Sequence, residues 1–138
     1  MKNRNELDSF NIASKYSHLP SFDSDRVDIL IKLGKDLNEN VLGQMLNFHF
    51  AASNEIIEEI KAELQAKNFI AIAQLAHKFK SNSGQLGLIK LHAICNDLEN
   101  LIRVQNGTEG EVTGLLHILF DENEETIKKL HQFQSSAL

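Results

Sequence analysis

Apolar residues recur every three or four positions from about residue 25 to about residue 133, and convincing alternation is absent. The first spacing lines one face of a helix, whereas alternation would line one face of a strand. A short first helix is predicted from about Asp25 to Leu33, with Val27, Leu30 and Leu33 on its stripe and Gly34 as the C-terminal stop. Asp36 followed by Glu39 reads as a capping box opening a second helix that runs to about Gln65. Its stripe is Leu42, Met45, Leu46, His49, Ile56, Ile57, Ile60 and Leu64. Asn68 is the N-cap of a third helix, which carries Phe69, Ile72, Leu75, Ala76, Phe79 and Leu86 and ends at Gly87.

A fourth helix spans about Leu88 to Val104, with Leu91, Ile94, Cys95, Leu98, Leu101 and Ile102 inward. Asn106-Gly107 signals a turn. Thr108 with Glu111 forms another capping box, opening a last helix to about Phe133 with Val112, Leu115, Leu116, Leu119, Ile127 and Leu130 in its stripe. Four long amphipathic helices joined by short turns predict an all-α fold, an antiparallel four-helix bundle. The short first helix covers one end. Residues 1–20 form an N-terminal extension, richer in Asn and Ser, before the bundle of residues 21–138. Leu7, Phe10, Ile12 and Tyr16 in it leave both a packed and a mobile arrangement open.

Composition narrows the function classes. At 138 residues the chain suits one domain with a real core, and a single cysteine excludes an internal disulfide. A net charge of -5 makes nucleic acid a poor partner. No run approaches the ~18 apolar residues of a membrane span, and no apolar segment follows the N-terminal charges. The expectation is a soluble, cytoplasmic, monomeric protein.

His77 is the residue that does not fit the bland pattern. On the third helix it points about 140° from the middle of the apolar sector, into water. Ile70, Ala73, Lys80, Ser81 and Gly84 are read as its neighbours on that face. Most of them are small and one is cationic. Gly84 costs roughly 1 kcal/mol against alanine in an exposed helix, which points to a fraying last turn or to close approach of another surface. A neutral imidazole nitrogen is a good nucleophile near neutral pH, and an accessible ring among small groups permits in-line phosphoryl transfer. Exposure alone would leave an ordinary surface histidine as the better reading; the string around it reverses that.

That string is Ala76-His77-Lys78-Phe79-Lys80-Ser81-Asn82-Ser83-Gly84-Gln85-Leu86-Gly87. It resembles the active-site helix of histidine-containing phosphotransfer (HPt) domains, the carriers of multistep His-Asp phosphorelays. Leu98-Glu99 resembles the family's Leu-Glu signature in the next helix, and the likeness covers about Ser24 to Phe133. One position departs: Ser81 stands where the family often has glycine.

The resemblance implies an up-and-down four-helix bundle in which His77 accepts the phosphoryl group and Lys80 balances its charge. Ile70, Ala73, Ser81, Gly84 and Gln85 would form the docking surface. The expected partners are response-regulator receiver domains or a hybrid sensor histidine kinase. No cofactor is expected on this chain, because Mg²⁺ belongs to the receiver, and no ATP-dependent kinase activity of its own is implied. A helical adaptor that binds such a partner without transfer is the alternative, and a domain of a larger hybrid kinase is a second.

Other chemistry is weaker. The six histidines show no pair three or four apart, so no single helix presents a metal pair. His49 is read as an interior histidine hydrogen-bonded to a neighbour, against a metal site shared with His92 or His117. Cys95 reads as buried filler and Glu58 to Glu63 as a solvated face. Ser81 and Ser83 lack the setting of a hydrolase nucleophile, and no P-loop or dinucleotide fingerprint is present.

Overall fold

The computed structural model describes residues 15–137; Leu7, Phe10 and Ile12 lie outside them. Among the described residues there are five helices and no strand. They are α1 (Ser24–Leu37), α2 (Val41–Gln65), α3 (Phe69–Gln85), α4 (Ile89–Arg103) and α5 (Glu109–Ala137). Helices α2 to α5 form the bundle, and α3 packs most extensively on α4. The core is aliphatic, with Leu46, Ile56, Ile60, Ile72, Leu91, Ile94, Leu98, Leu116 and Leu119 at 0–1% exposure around Phe79.

Side-chain caps fix most of the helix starts. Asn68 accepts the Ala71 amide at 3.2 Å, and Thr108 and Glu111 bond each other's amides at 3.2 and 3.0 Å, as a capping box requires. The start of α2 is a correction. Its N-cap is Asn40, whose side chain accepts the Gly43 amide at 2.9 Å, and not Asp36. Gly34 does not stop α1 either. The helix continues to Leu37 and ends at Asn38 in the left-handed region (φ 54°), with the Glu39 amide bonded back to the Gly34 carbonyl at 2.9 Å. Gly34 is buried because the α1–α2 turn folds over it: a Cβ there would lie 2.6 Å from the Glu39 carbonyl oxygen. Leu33, one position back, is turned outward and 43% exposed. The last helix also runs past Phe133, to Ala137.

Gly87 does end α3. It adopts φ 69°, and a Cβ would come within 2.9 Å of the Arg26 Cβ. Arg26 Nε donates to the Gln85 carbonyl at 3.0 Å, and the Asp23 amide to the Gly87 carbonyl at 2.8 Å. The start of α1 is thereby fastened to the α3–α4 turn. Upstream of it, Tyr16 is 2% exposed and its hydroxyl donates to Asp97 on α4. Burial first, and then the Asp97 carboxylate, push its phenol pKa up. Ser21 reaches Glu122 on α5 at 3.2 Å, and Lys129 reaches Ser21 at 2.9 Å. Residues 15–23 therefore form a strap tied to both α4 and α5.

Candidate functional site

His77 lies midway along α3, where apolar residues take the opposite face and leave its side chain 57% exposed. Its ring is nonetheless held. Nδ1 is 2.9 Å from Glu99 Oε2 and 3.2 Å from Oε1, across the α3–α4 contact. A carboxylate only accepts, so Nδ1 donates, and in the neutral ring the lone pair lies on Nε2. Glu99 itself is 7% exposed and has two further partners. Lys80 Nζ lies 2.9 Å from Oε1, and Arg103 Nη1 lies 2.8 Å from Oε2. Lys80 also reaches Asn96 Oδ1 at 3.4 Å. Burial alone would push the Glu99 pKa up. The hydrogen bonds and charges of Lys80 and His77 outweigh it and hold the carboxyl below its usual range. Glu99 is thus a fixed anion whose oxygens orient one imidazole and hold two cations.

The arrangement suits a nucleophile that stays on the protein. Nδ1–H is committed to Glu99, so the reactive lone pair sits on the accessible side of the ring. Lys78 beside it is exposed, Lys80 lies one helix turn beyond His77, and Arg103 lies one turn beyond Glu99. This cationic surround favours a phosphoryl group in a chain whose net charge is negative.

The sequence pattern of the Hpt domain family matches residues 44–115, just over half of the chain. The match runs from early in α2, through α3 and α4, into α5, and takes in His77, Lys80, Glu99 and Arg103. The chain belongs to the Hpt domain family. Hpt domains serve histidine phosphotransfer in two-component systems. No curated protein and no solved structure matches.

Within this Hpt domain the structure separates the expected site residues. Ile70, Ser81, Gly84 and Gln85 are exposed on α3, with Ile70 at 74%. Lys80 is only 21% exposed and points to α4. Ala73 is a correction: it is 1% exposed and cannot line a docking surface. It lies on the α4 side of His77, as Lys80 does, and the close α3–α4 packing covers it. Gly84 also has a local explanation. A Cβ there would stand 3.3 Å from His92 Cδ2, so the surface that approaches it belongs to α4.

Two residues of the cluster had no role assigned from sequence, Glu99 and Arg103. A signal was present: Leu91, Cys95 and Glu99 occupy one i, i+4, i+8 row, so a carboxylate continues an inward stripe. Arg103 follows at the next i+4 step.

The remaining readings divide. Cys95 is fully buried, and burial pushes its thiol pKa well up, as inert filler requires. His49 is interior at 1% exposure, but neither ring nitrogen has a hydrogen-bond partner, contrary to expectation. It meets Phe50 and Phe79 edge-on, at centroid distances of 6.4 and 6.2 Å, and burial pulls its pKa down to about 4. Its apolar setting therefore keeps it neutral. Among the described residues no cluster of His, Cys, Asp and Glu is placed to hold a metal, and no helix is long and apolar enough to cross a membrane. A cavity of about 690 Å³ at the α1–α2 junction, lined by Leu30, Gly34 and Val41 among others, touches none of the residues around His77.

Proposed function

We propose that this Hpt protein is a phosphorelay intermediate that receives a phosphoryl group from one receiver aspartate and passes it to another through His77. The observation that supports this reading is the tethered ring: Nδ1 is bonded to Glu99 while the side chain is 57% exposed. The Nε2 lone pair attacks the phosphorus of the aspartyl phosphate. The N–P bond forms as the bond to the aspartate oxygen breaks, and the receiver leaves as a free carboxylate. No proton has to move, because Nδ1–H stays on Glu99, whose charge balances the phosphoimidazolium. The reverse attack by a second receiver aspartate restores neutral His77.

Lys80 steadies the phosphoryl oxygens, and Glu99 keeps the ring in one tautomer and orientation. Ile70, Ser81, Gly84 and Gln85 form the docking surface. Mg²⁺ is supplied by the receiver, and the chain acts as a carrier with no ATP-dependent kinase activity of its own. The partners are receiver domains, free or within a hybrid sensor kinase.

The test is phosphoryl uptake. The protein is incubated with a phosphorylated receiver and Mg²⁺, and acid-labile, base-stable label is sought on His77. Label is expected on the wild type and on no His77→Gln sample. A folded wild type that takes no label from a panel of receivers, yet binds them equally with or without His77→Gln, is a non-transferring adaptor.

A further inference from the structure

Asp97 and Glu99 lie two positions apart on α4, so their side chains leave the helix about 200° apart, on nearly opposite faces. Glu99 faces α3 and holds His77 and Lys80, and Asn96 in the same turn reaches Lys80 at 3.4 Å. Asp97 faces the strap. Its Oδ2 accepts from the Tyr16 hydroxyl and lies 2.9 Å from Lys15 Nζ. The two contacts differ in kind. Lys15 is 64% exposed, and a surface pair of this sort holds little. Tyr16 is 2% exposed, and its ring belongs to the hydrophobic core. One turn of α4 is thus gripped from both sides, by the residues around His77 and by a buried phenol.

Grips placed in this way fix rotation about the helix axis. A helix with its side chains is about 10–12 Å across, so a 10° rotation of α4 moves a carboxylate at its rim by about 1 Å. Cys95 and Leu98, both fully buried, set how closely α4 packs, but apolar contact is not directional. A hydrogen bond is directional and short in range. The bond from His77 Nδ1 to Glu99 is 2.9 Å long, and 1 Å more takes it out of hydrogen-bond range. A reacting group misplaced by about 1 Å loses on the order of 100-fold in rate. The other tie of the strap, from Ser21 to Glu122, is made to α5, which carries no group in contact with His77.

We propose that Tyr16 is a positioning residue for His77: its hydroxyl, through Asp97, fixes the rotation of α4 and so keeps Glu99 on His77 Nδ1. The kinetic consequence rests on the relay reading above, and the structural one on the hydrogen bonds alone. The strap then has two separate parts. Its bond to Asp97 sets the imidazole, and its bond to Glu122 holds the strap to the bundle.

The experiment compares the wild type with Tyr16→Phe, Lys15→Ala and Ser21→Ala, with a thermal melt of each. Phenylalanine keeps the buried ring, and Asp97, 29% exposed, can take water in place of the hydroxyl. The ring ¹⁵N shifts of His77 are read without any receiver, and transfer rate is then measured against the concentration of a phosphorylated receiver. In Tyr16→Phe the shifts are expected to move from a protonated Nδ1 towards a mixture of tautomers. Its saturated rate should fall about tenfold, with the half-saturating concentration within roughly twofold of the wild type. Lys15→Ala and Ser21→Ala should match the wild type in both readouts. Wild-type shifts or a wild-type saturated rate in folded Tyr16→Phe overturns the proposal, and so does an equal loss in Ser21→Ala. If the wild type takes no label from any receiver, the relay reading falls, and the ring shifts alone decide whether Tyr16 positions His77.

Discussion

Glu99 and Glu122 are both nearly buried carboxylates on neighbouring helices, at 7% and 8% exposure, yet their surroundings differ in kind. Glu99 faces His77, Lys80 and Arg103, all basic side chains that reach the surface. Glu122 faces two hydroxyls, Ser21 at 3.2 Å and Thr126 at 3.0 Å, with Lys90 at 3.6 Å. One carboxylate therefore orients a ring that stays open to solvent on its other side. The other closes on itself and ties the N-terminal strap to α5. A buried acid is a candidate for function when it orients a nucleophile open to solvent, and a fastening when it bonds the hydroxyls of its own helix and of a strap laid over it.

The largest expected effect separates the two. Glu99→Ala frees the His77 ring from its tautomer and position, and phosphoryl transfer should fall about 100-fold, as a misplaced reacting group does. Its melting temperature should move little, because Lys80 and Arg103 can hydrate. Glu122→Ala should do the reverse. Leaving the buried Thr126 hydroxyl without its acceptor and Ser21 with Lys129 alone costs about 1–3 kcal/mol in urea unfolding, with transfer unchanged. Equal effects of both substitutions on transfer would erase the distinction.

Acid sharpens the comparison through His49. Its folded pKa of about 4 lies below the 6.5 of a free imidazole, so between these values the unfolded chain binds the extra proton. Stability should thus be lost as pH falls from 6.5 to 4, by about 3 kcal/mol at most. Glu99 acts in the same direction but lower. Its depressed carboxyl contributes stability above the ordinary glutamate range, and that contribution is lost as pH falls through the folded pKa. Urea titrations at pH 7 and pH 5 should show a smaller difference for His49→Leu than for the wild type. An unchanged difference would remove His49 as the cause.

Smaller effects complete the series. Arg103 is 48% exposed, so Arg103→Ala should cost no more than about 1 kcal/mol in unfolding and slow transfer far less than Glu99→Ala does. Gly84→Ala should be neutral or stabilising by up to about 1 kcal/mol, since the exposed His92 ring can shift a few tenths of an ångström. A marked loss of transfer in Gly84→Ala with stability kept would show that the glycine serves a docking partner as well.

The helices, their apolar stripes and the position of His77 were legible in the sequence because each depends on neighbours three or four residues apart. The misreadings have one origin. Gly34 looked like a stop, but its constraint comes from the turn at Glu39 folding back over it. Ala73 looked exposed because a helical wheel does not say on which side the next helix packs. His49 was read as hydrogen-bonded, and its neighbours proved to be the aromatic rings of Phe50 and Phe79. The role of Glu99 stayed hidden for the same reason: its partners His77 and Lys80 belong to another helix.

The ties of Glu99 to His77 and Lys80 span 22 and 19 positions, all within the hairpin of α3 and α4, whereas the strap's bond from Ser21 to Glu122 spans 101. Loop closure is least demanding for near neighbours, and low contact order goes with fast folding. The proposed transfer centre is therefore a local product of one hairpin. During synthesis every group of it has emerged once Arg103 is out, before α5 exists to complete the core and receive the strap.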